Sequence, residues 1–253
     1  MKKRLDVLLV ERGLAESRAQ AQALVMAGRV PGFAKAGQQV DEAASLELTE
    51  PQRFVSRGGE KLDHALDVFG VDPDGRRCLD VGASTGGFTD VLLQRGAVEV
   101  IALDVGRAQL HERMRGDSRV VVMEGMNARH LAELPFPPEL VTCDVSFISL
   151  RQVLPPVLGL AEPGWEAVVL VKPQFEAGRE QVKGGVVRSP EVQRAVLREI
   201  AEAAVDWDAA TVGVADSGLP GPKGNREFFL HLVHQTNPAL PAELDAWIED
   251  AVG

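Results

Sequence analysis

Cys78-Leu79-Asp80-Val81-Gly82-Ala83-Ser84-Thr85-Gly86-Gly87-Phe88 is an apolar run, a glycine turn and the opening of a helix in eleven consecutive residues. The run predicts a strand over 77–81, and the residues after the turn predict a helix from about Phe88 to Arg95. A strand, a glycine loop and a helix N-terminus in that order make a Rossmann-type ligand loop, because the first N–H groups of the helix are left free to face a ligand.

Working outward, apolar runs predict further strands at 98–104, 119–123, 140–144, 167–172, 209–215 and 227–233. Between them lie helical stretches. The clearest has Ser189 as N-cap and Pro190 at its first position, and continues to about Val205. Strands alternating with helices imply an α/β fold, here a seven-stranded, mostly parallel sheet covered on both faces.

Two cofactors compete for the loop. A dinucleotide requires G-x-G-x-x-G spacing so that its pyrophosphate can approach the helix, and Gly82, Gly86 and Gly87 lack that spacing. A carboxylate at Asp80 would repel a pyrophosphate but could hold the ammonium group of a methionine moiety. S-adenosylmethionine is therefore the expected cofactor, held by Asp80, Gly82, Ala83, Ser84, Thr85, Gly86, Gly87 and Phe88. Asp104, ending the second strand about twenty residues on, stands where an acid commonly bonds ribose hydroxyls. Asn127 is either an adenine contact or an ordinary turn residue.

Asp144 and Lys172 fall at the carboxyl ends of strands, the edge of an open α/β sheet where ligands bind, and Glu227 opens the last strand. Lys172 follows Ala167-Val168-Val169-Leu170-Val171, a buried strand by composition, so its charge must reach a cleft or a partner. Lys61 could approach the same cleft. Methyl transfer from a sulfonium needs no metal, only an oxygen nucleophile in line with the methyl group and help in losing its proton, which a lysine can give. Singly, each of these residues could equally form a surface ion pair.

The N-terminal part differs. Leu5, Leu8 and Leu9 predict a short helix stopped by Gly13, and Ser17 caps a second one with Ala19, Ala23, Leu24 and Ala27 on its packing face and Gly28 as its stop. Arg18, Gln22 and Arg29 fall on the opposite side. Short extended segments follow through Val40 and Leu46-Glu47-Leu48, and residues 51–57 look like a linker, giving units 1–50 and 58–253. The chain of 253 residues carries a formal net charge of −10, yet residues 1–61 sum to +2 and the rest to −12. The basic excess lies before residue 38, where seven basic residues face three acidic ones, and Lys2, Lys3, Arg4, Arg18 and Arg29 are the candidate contacts to nucleic-acid phosphates. There is no tyrosine, so stacking on bases would fall to Phe33, Phe54, Phe175 or tryptophan. Cys78 and Cys143, inside apolar runs, read as buried thiols. No apolar stretch approaches the roughly 20 residues of a membrane span, and Met1 to Arg12 is too short and too charged for a signal peptide; a cytoplasmic location is expected.

The chain resembles the TlyA family, also labelled haemolysin A, in which an S4-type RNA-binding module precedes an FtsJ-like ribose 2'-O-methyltransferase domain. The resemblance lies in Arg12-Gly13-Leu14-Ala15-Glu16-Ser17-Arg18 and Ala27-Gly28-Arg29-Val30, in Ser56-Arg57-Gly58-Gly59-Glu60-Lys61, in Asp80 to Thr89, and in Asp144-Val145-Ser146-Phe147-Ile148-Ser149-Leu150. It continues in Val171-Lys172-Pro173-Gln174-Phe175-Glu176 and Gly224-Asn225-Arg226-Glu227-Phe228-Phe229-Leu230. It implies a Lys61-Asp144-Lys172-Glu227 catalytic tetrad and cytidine 2'-O-methylation of ribosomal RNA within ribosomal subunits. One segment departs from the family. After Val30 the chain reads Pro31-Gly32-Phe33-Ala34-Lys35-Ala36-Gly37 where the family has a short strand and turn, so the first strand of the module is expected to be shortened or displaced. The competing readings are a haemolysin or other membrane-active protein, an RNA-binding protein with a degenerate methyltransferase domain, and an NAD-dependent oxidoreductase. Base N-methylation is disfavoured because Val145-Ser146 breaks the Asp/Asn-Pro-Pro-aromatic pattern of related enzymes.

Overall fold

The computed structural model describes residues 2–26, 29–49 and 53–253. The chain forms two compact units, Met1–Gln52 and Arg53–Gly253.

In the first unit, β1 (Lys2–Arg4) runs antiparallel to β2 (Gln39–Asp41), with Lys3 opposite Val40, and flanks α1 (Leu5–Glu11) and α2 (Arg18–Met26). Leu5, Leu8 and Leu9 turn inward as the helical spacing predicts, but they meet Ala21, Val25 and Val40, and the expected α2 face is not the buried one, since Ala19 and Ala23 are exposed. The Ser17 hydroxyl accepts the Gln20 N–H at 3.2 Å, the expected N-cap. The expected C-terminal stop, Gly28, lies outside the described residues, as does Ala27. Residues 31–37 hold no strand, only turns and irregular backbone, and the module's two strands are Lys2–Arg4 and Gln39–Asp41. Leu46-Glu47-Leu48 is not a strand; Leu46 fills the small core instead.

In the second unit the strands are β3 (Arg77–Val81), β4 (Glu99–Asp104), β5 (Val120–Glu124), β6 (Leu140–Cys143), β7 (Glu166–Val171), β8 (Ala209–Asp216) and β9 (Phe228–His234). Each lies within one residue of its predicted bounds. The sheet order is β5-β4-β3-β6-β7-β9-β8, parallel except for β9, which is antiparallel to both neighbours. The helices are α3 (Arg57–Phe69), α4 (Gly87–Gln94), α5 (Glu112–Arg115), α6 (Leu150–Leu158), α7 (Pro173–Glu176), α8 (Pro190–Val205) and α9 (Leu244–Val252). Strand alternation feeds two cores. Cys78 faces α3 and α4 with Leu62, Leu66, Val91 and Leu92, whereas Leu79 and Val81 face α6, α8 and α9. Cys78 and Cys143 are free and buried.

Residues 53–57 belong to this unit rather than to a linker. Phe54 is 3% exposed within the α3/α4 core, and the Val55 N–H donates to Asp90 at 2.9 Å. The helix α3, for which no start was predicted, begins at Arg57 with two glycines in its first turn. Close approach explains the second of them: a Cβ on Gly59 would stand 2.4 Å from the Phe54 Cβ.

Candidate active site

The first strand β3 lies between β4, which follows it in the chain, and β6, so the strand order reverses there and opens a crevice at the carboxyl ends. Two adjoining chambers occupy it. One, of about 480 Å3, is walled by Asp104, Val105, Gln109, Met126, Asn127 and Ile148. The other, of about 330 Å3, is walled by Ser56, Arg57, Lys61, Lys172, Pro220 and Glu227. Gly82, Ser84 and Asp144 line both and mark the junction. Both volumes suit a small ligand.

At that junction Gly82 is indispensable. Its φ is +83°, and a Cβ there would come within 2.3 Å of the Asp144 carbonyl oxygen. Ala83, Ser84, Thr85, Gly87 and Phe88 also line the crevice, whereas Gly86 packs towards Leu110 and Met114. Asp104 accepts the Ser84 N–H at 2.8 Å and the Gly106 N–H at 2.6 Å while lining the larger chamber. Asn127 has the turn role, capping a short 3-10 turn through the Arg129 N–H, and it also lines that chamber. A residue missed in the sequence, Glu124, gathers the Ala108, Gln109 and Leu110 N–H groups at 2.9, 3.1 and 3.2 Å and fixes the loop carrying Gln109. The Arg115 guanidinium first, then these N–H groups, hold its carboxyl down to about 2.

Asp80 corrects an expectation. Its side chain is fully buried and does not reach the crevice. Asp80 lies on the Cys78 face of β3, and its Oδ2 accepts the Thr89 N–H at 2.9 Å and hydroxyl at 2.7 Å, tying the strand to α4. Burial pushes its carboxyl up to about 7, the Thr89 bonds opposing and the Asp144 and Asp104 charges adding. A carboxyl whose pKa is higher folded than unfolded binds its proton more tightly in the folded state, so its ionisation costs stability as pH rises from 3.8 towards about 7. Asp80→Asn, whose amide can donate to the nearby Thr142 hydroxyl, is expected to remove that slope. Urea melts of both proteins from pH 5 to 8 check this, and parallel stability profiles would show that Asp80 titrates elsewhere.

The four residues of the suspected catalytic set meet in the smaller chamber as two ion pairs. Lys61 Nζ lies 2.5 Å from Glu227 Oε2, and Lys172 Nζ pairs with Asp144 Oδ1. Each lysine side chain is 11% exposed. Ser146 and Gln174 were missed as site residues. The Ser146 hydroxyl accepts from Lys172 Nζ at 3.1 Å, and the Gln174 amide donates to Glu227 Oε1 at 3.2 Å. Asn225, fully buried, ties the strand approach to the facing loop through the Val187 N–H and the Gly185 and Pro222 carbonyls. Of the expected stacking residues, Phe54 is core and Phe33 packs in the small unit. Phe175 lies 4.9 Å, ring to ring, from Phe147, which is 91% exposed beside the crevice. Among the described residues no group of three or more His, Cys, Asp or Glu is placed to hold a metal.

In the small unit, Arg4 and Arg18 converge with Gln22 on the buried Asp6, at 3.1, 3.0 and 3.1 Å. These contacts, Arg4 foremost, hold the Asp6 carboxyl well below its usual range. One buried carboxylate thus fixes two exposed guanidinium groups. Lys3 pairs with Glu11 and Glu42, and Arg29 donates to the Thr49 carbonyl.

A seven-stranded sheet with one antiparallel strand beside its edge, and a glycine loop facing the switch point, defines a Rossmann-like methyltransferase. The chain belongs to the TlyA family of FtsJ-like methyltransferases with an S4 domain: the FtsJ-like methyltransferase model matches residues 54–234 and the S4 domain model residues 3–30. It is 48% identical to the 16S/23S rRNA (cytidine-2'-O)-methyltransferase TlyA of Mycobacterium tuberculosis, over 98% of this chain and 95% of that one. A solved structure from Streptococcus thermophilus that bears the name hemolysin is 42% identical with a TM-score of 0.77, covering 99% of this chain and 95% of that one. An S-adenosylmethionine dependent methyltransferase structure from Listeria monocytogenes, 17% identical with a TM-score of 0.54, covers 72% of this chain and all of its own, and shares the fold. Among the described residues no helix is long and apolar enough to cross a membrane.

Proposed function

We propose that this chain transfers a methyl group from S-adenosylmethionine to the 2'-hydroxyl of a cytidine in ribosomal RNA, within an assembled ribosomal subunit in the cytoplasm. The observation that carries the reading is the position of Asp144, which lines both chambers and is paired with Lys172. A methyl group held in one chamber and an oxygen held in the other meet beside that pair.

The larger chamber fits the cofactor. Apolar Val105, Met126 and Ile148 can flank an adenine, while Asp104 and Asn127 offer acceptors for its polar edges. S-adenosylmethionine supplies an electrophilic methyl group. The chain's own part is to orient and deprotonate the acceptor. Lys172 Nζ stands to take the hydroxyl proton, with Asp144 and Ser146 fixing where that nitrogen lies. Lys61 and Glu227 hold the ribose in the smaller chamber. Phe147 offers its face to the unpaired target base, as single-stranded RNA is commonly read by stacking. The Arg4–Arg18 patch contacts phosphate, and the relative's name supplies cytidine and rRNA as the substrate class. Because the residues after 61 sum to −12, bare RNA is repelled by the catalytic unit, and docking depends on structured RNA engaging the small one.

Calorimetric titration of the full chain with S-adenosylmethionine and with NAD tests the cofactor assignment. Saturable binding of the first alone is expected, and binding of NAD alone would overturn it.

A further inference from the structure

Two loops carry the Lys172–Asp144 pair, and they are joined along their length. The segment Asp144–Ser149 leads from β6 into α6, and Lys172–Glu176 leads from β7 through α7. Lys172 meets Asp144 and Ser146 at one end, Phe175 meets Phe147 in the middle, and Glu176 closes the other end. There its Oε2 accepts the Ser149 hydroxyl at 2.5 Å and its Oε1 accepts the Leu150 N–H at 2.8 Å. Ser149 in turn caps α6 by accepting the Arg151 N–H at 3.2 Å. The carboxylate therefore sits at the N-terminus of a nine-residue helix, where negative charge is favourable. Between the two ends Phe147 is held at a φ of +65°, a conformation that L residues avoid unless their surroundings impose it.

We propose that Glu176 is a positioning residue for methyl transfer, clamping the Asp144 loop to the Lys172 turn so that Lys172 and Phe147 face the acceptor together; this rests on the catalytic reading of Lys172 above. Glu176 lines neither chamber and acts through Ser149 and Leu150. Its charge costs the fold energy rather than supplying it. Burial raises its carboxyl above the ordinary range, Ser149, Leu150 and Arg151 opposing and Glu199 of α8 adding. Arg151 is itself shared with Glu199 at 2.7 Å. Glu176 therefore ought to be replaceable without loss of stability, and its value lies in geometry.

The test compares Glu176→Gln, Ser149→Ala, the double variant and Lys172→Ala in full-length protein, using thermal melts and steady-state transfer of tritiated methyl groups to ribosomal subunits. Displacing a catalytic group by about 1 Å costs up to about a hundredfold in rate. Glu176→Gln is accordingly expected to lower kcat by about tenfold to a hundredfold, with KM for subunits little changed and with a melting temperature equal to or above that of the wild type. Ser149→Ala should show a similar loss, and the double variant should be no worse than the more impaired single one, because both remove the same clamp. Wild-type kcat in Glu176→Gln, losses that multiply in the double variant, or a kcat that falls only as the melting temperature falls would each overturn the clamp. An inactive Lys172→Ala beside a fully active Glu176→Gln removes the clamp and leaves the catalytic assignment standing. An active Lys172→Ala removes both.

Discussion

Lys172→Ala is expected to bind S-adenosylmethionine with nearly wild-type affinity and to transfer methyl groups about a thousandfold more slowly, within the range for loss of a general base. The separation follows from position. Lys172 lines the smaller chamber and is absent from the walls of the larger one, where the cofactor's adenosine is proposed to lie. Its nitrogen is fixed by Asp144 and by the Ser146 hydroxyl, neither of which can take over as an amine base at the same point. Calorimetry and tritium transfer measure the two effects independently. Substantial turnover by a well-folded Lys172→Ala protein would remove Lys172 from the chemistry, and a matching loss of cofactor affinity would mean that the chambers have been assigned the wrong way round.

The largest effect on stability is expected from Glu227→Ala. Glu227 is 1% exposed and accepts from both Lys61 and Gln174. Its removal leaves the Lys61 ammonium in a largely buried place without its partner, which typically costs about 3–5 kcal/mol. For a unit of this size that corresponds to a melting temperature lower by roughly 10 °C. Replacing both partners by apolar residues, Lys61→Met with Glu227→Leu, should recover most of that loss, since a buried pair exchanged for packed side chains is often neutral. The double variant is nevertheless expected to be inactive. Thermal melts and turnover, taken together, distinguish a pair kept for function from one kept for the fold. An active double variant would show that the Lys61–Glu227 pair has no part in the reaction.

The elements legible in the sequence were those whose cause is local. Ala167-Val168-Val169-Leu170-Val171 reads as a strand because a parallel strand covered on both faces must be apolar throughout. The helix α8 starts where Ser189 and Pro190 mark it, with the Ser189 hydroxyl accepting the Val192 N–H. The misses were non-local. The strand β1 is Lys-Lys-Arg, with no pattern of its own, and exists through its pairing with β2, some 37 residues on. The helix α3 opens with two glycines, and the reason for one of them, Gly59, is the close approach of Phe54. Asp80 was visible as a polar residue at a strand end, and the side it faces is decided by Thr89 nine residues later. Its alternation with Leu79 and Val81 was the available clue. The four acidic and basic residues of the cleft were each suspicious alone, but the partner of Lys61 stands 166 residues away, a distance across which the topology alone does the matching. Likewise, the basic residues of the small unit were legible as charge, whereas the convergence of Arg4 and Arg18 on Asp6 depends on how α1 packs against α2.

The most direct test offers the purified full-length protein assembled ribosomal subunits, protein-free rRNA and an unstructured oligonucleotide at equal concentration with labelled S-adenosylmethionine, followed by complete digestion and mass spectrometry of the nucleosides. The expected product is 2'-O-methylcytidine, formed fastest on subunits. Methyl groups found on bases alone would contradict the ribose assignment, and equal rates on all three substrates would contradict recognition of a folded particle.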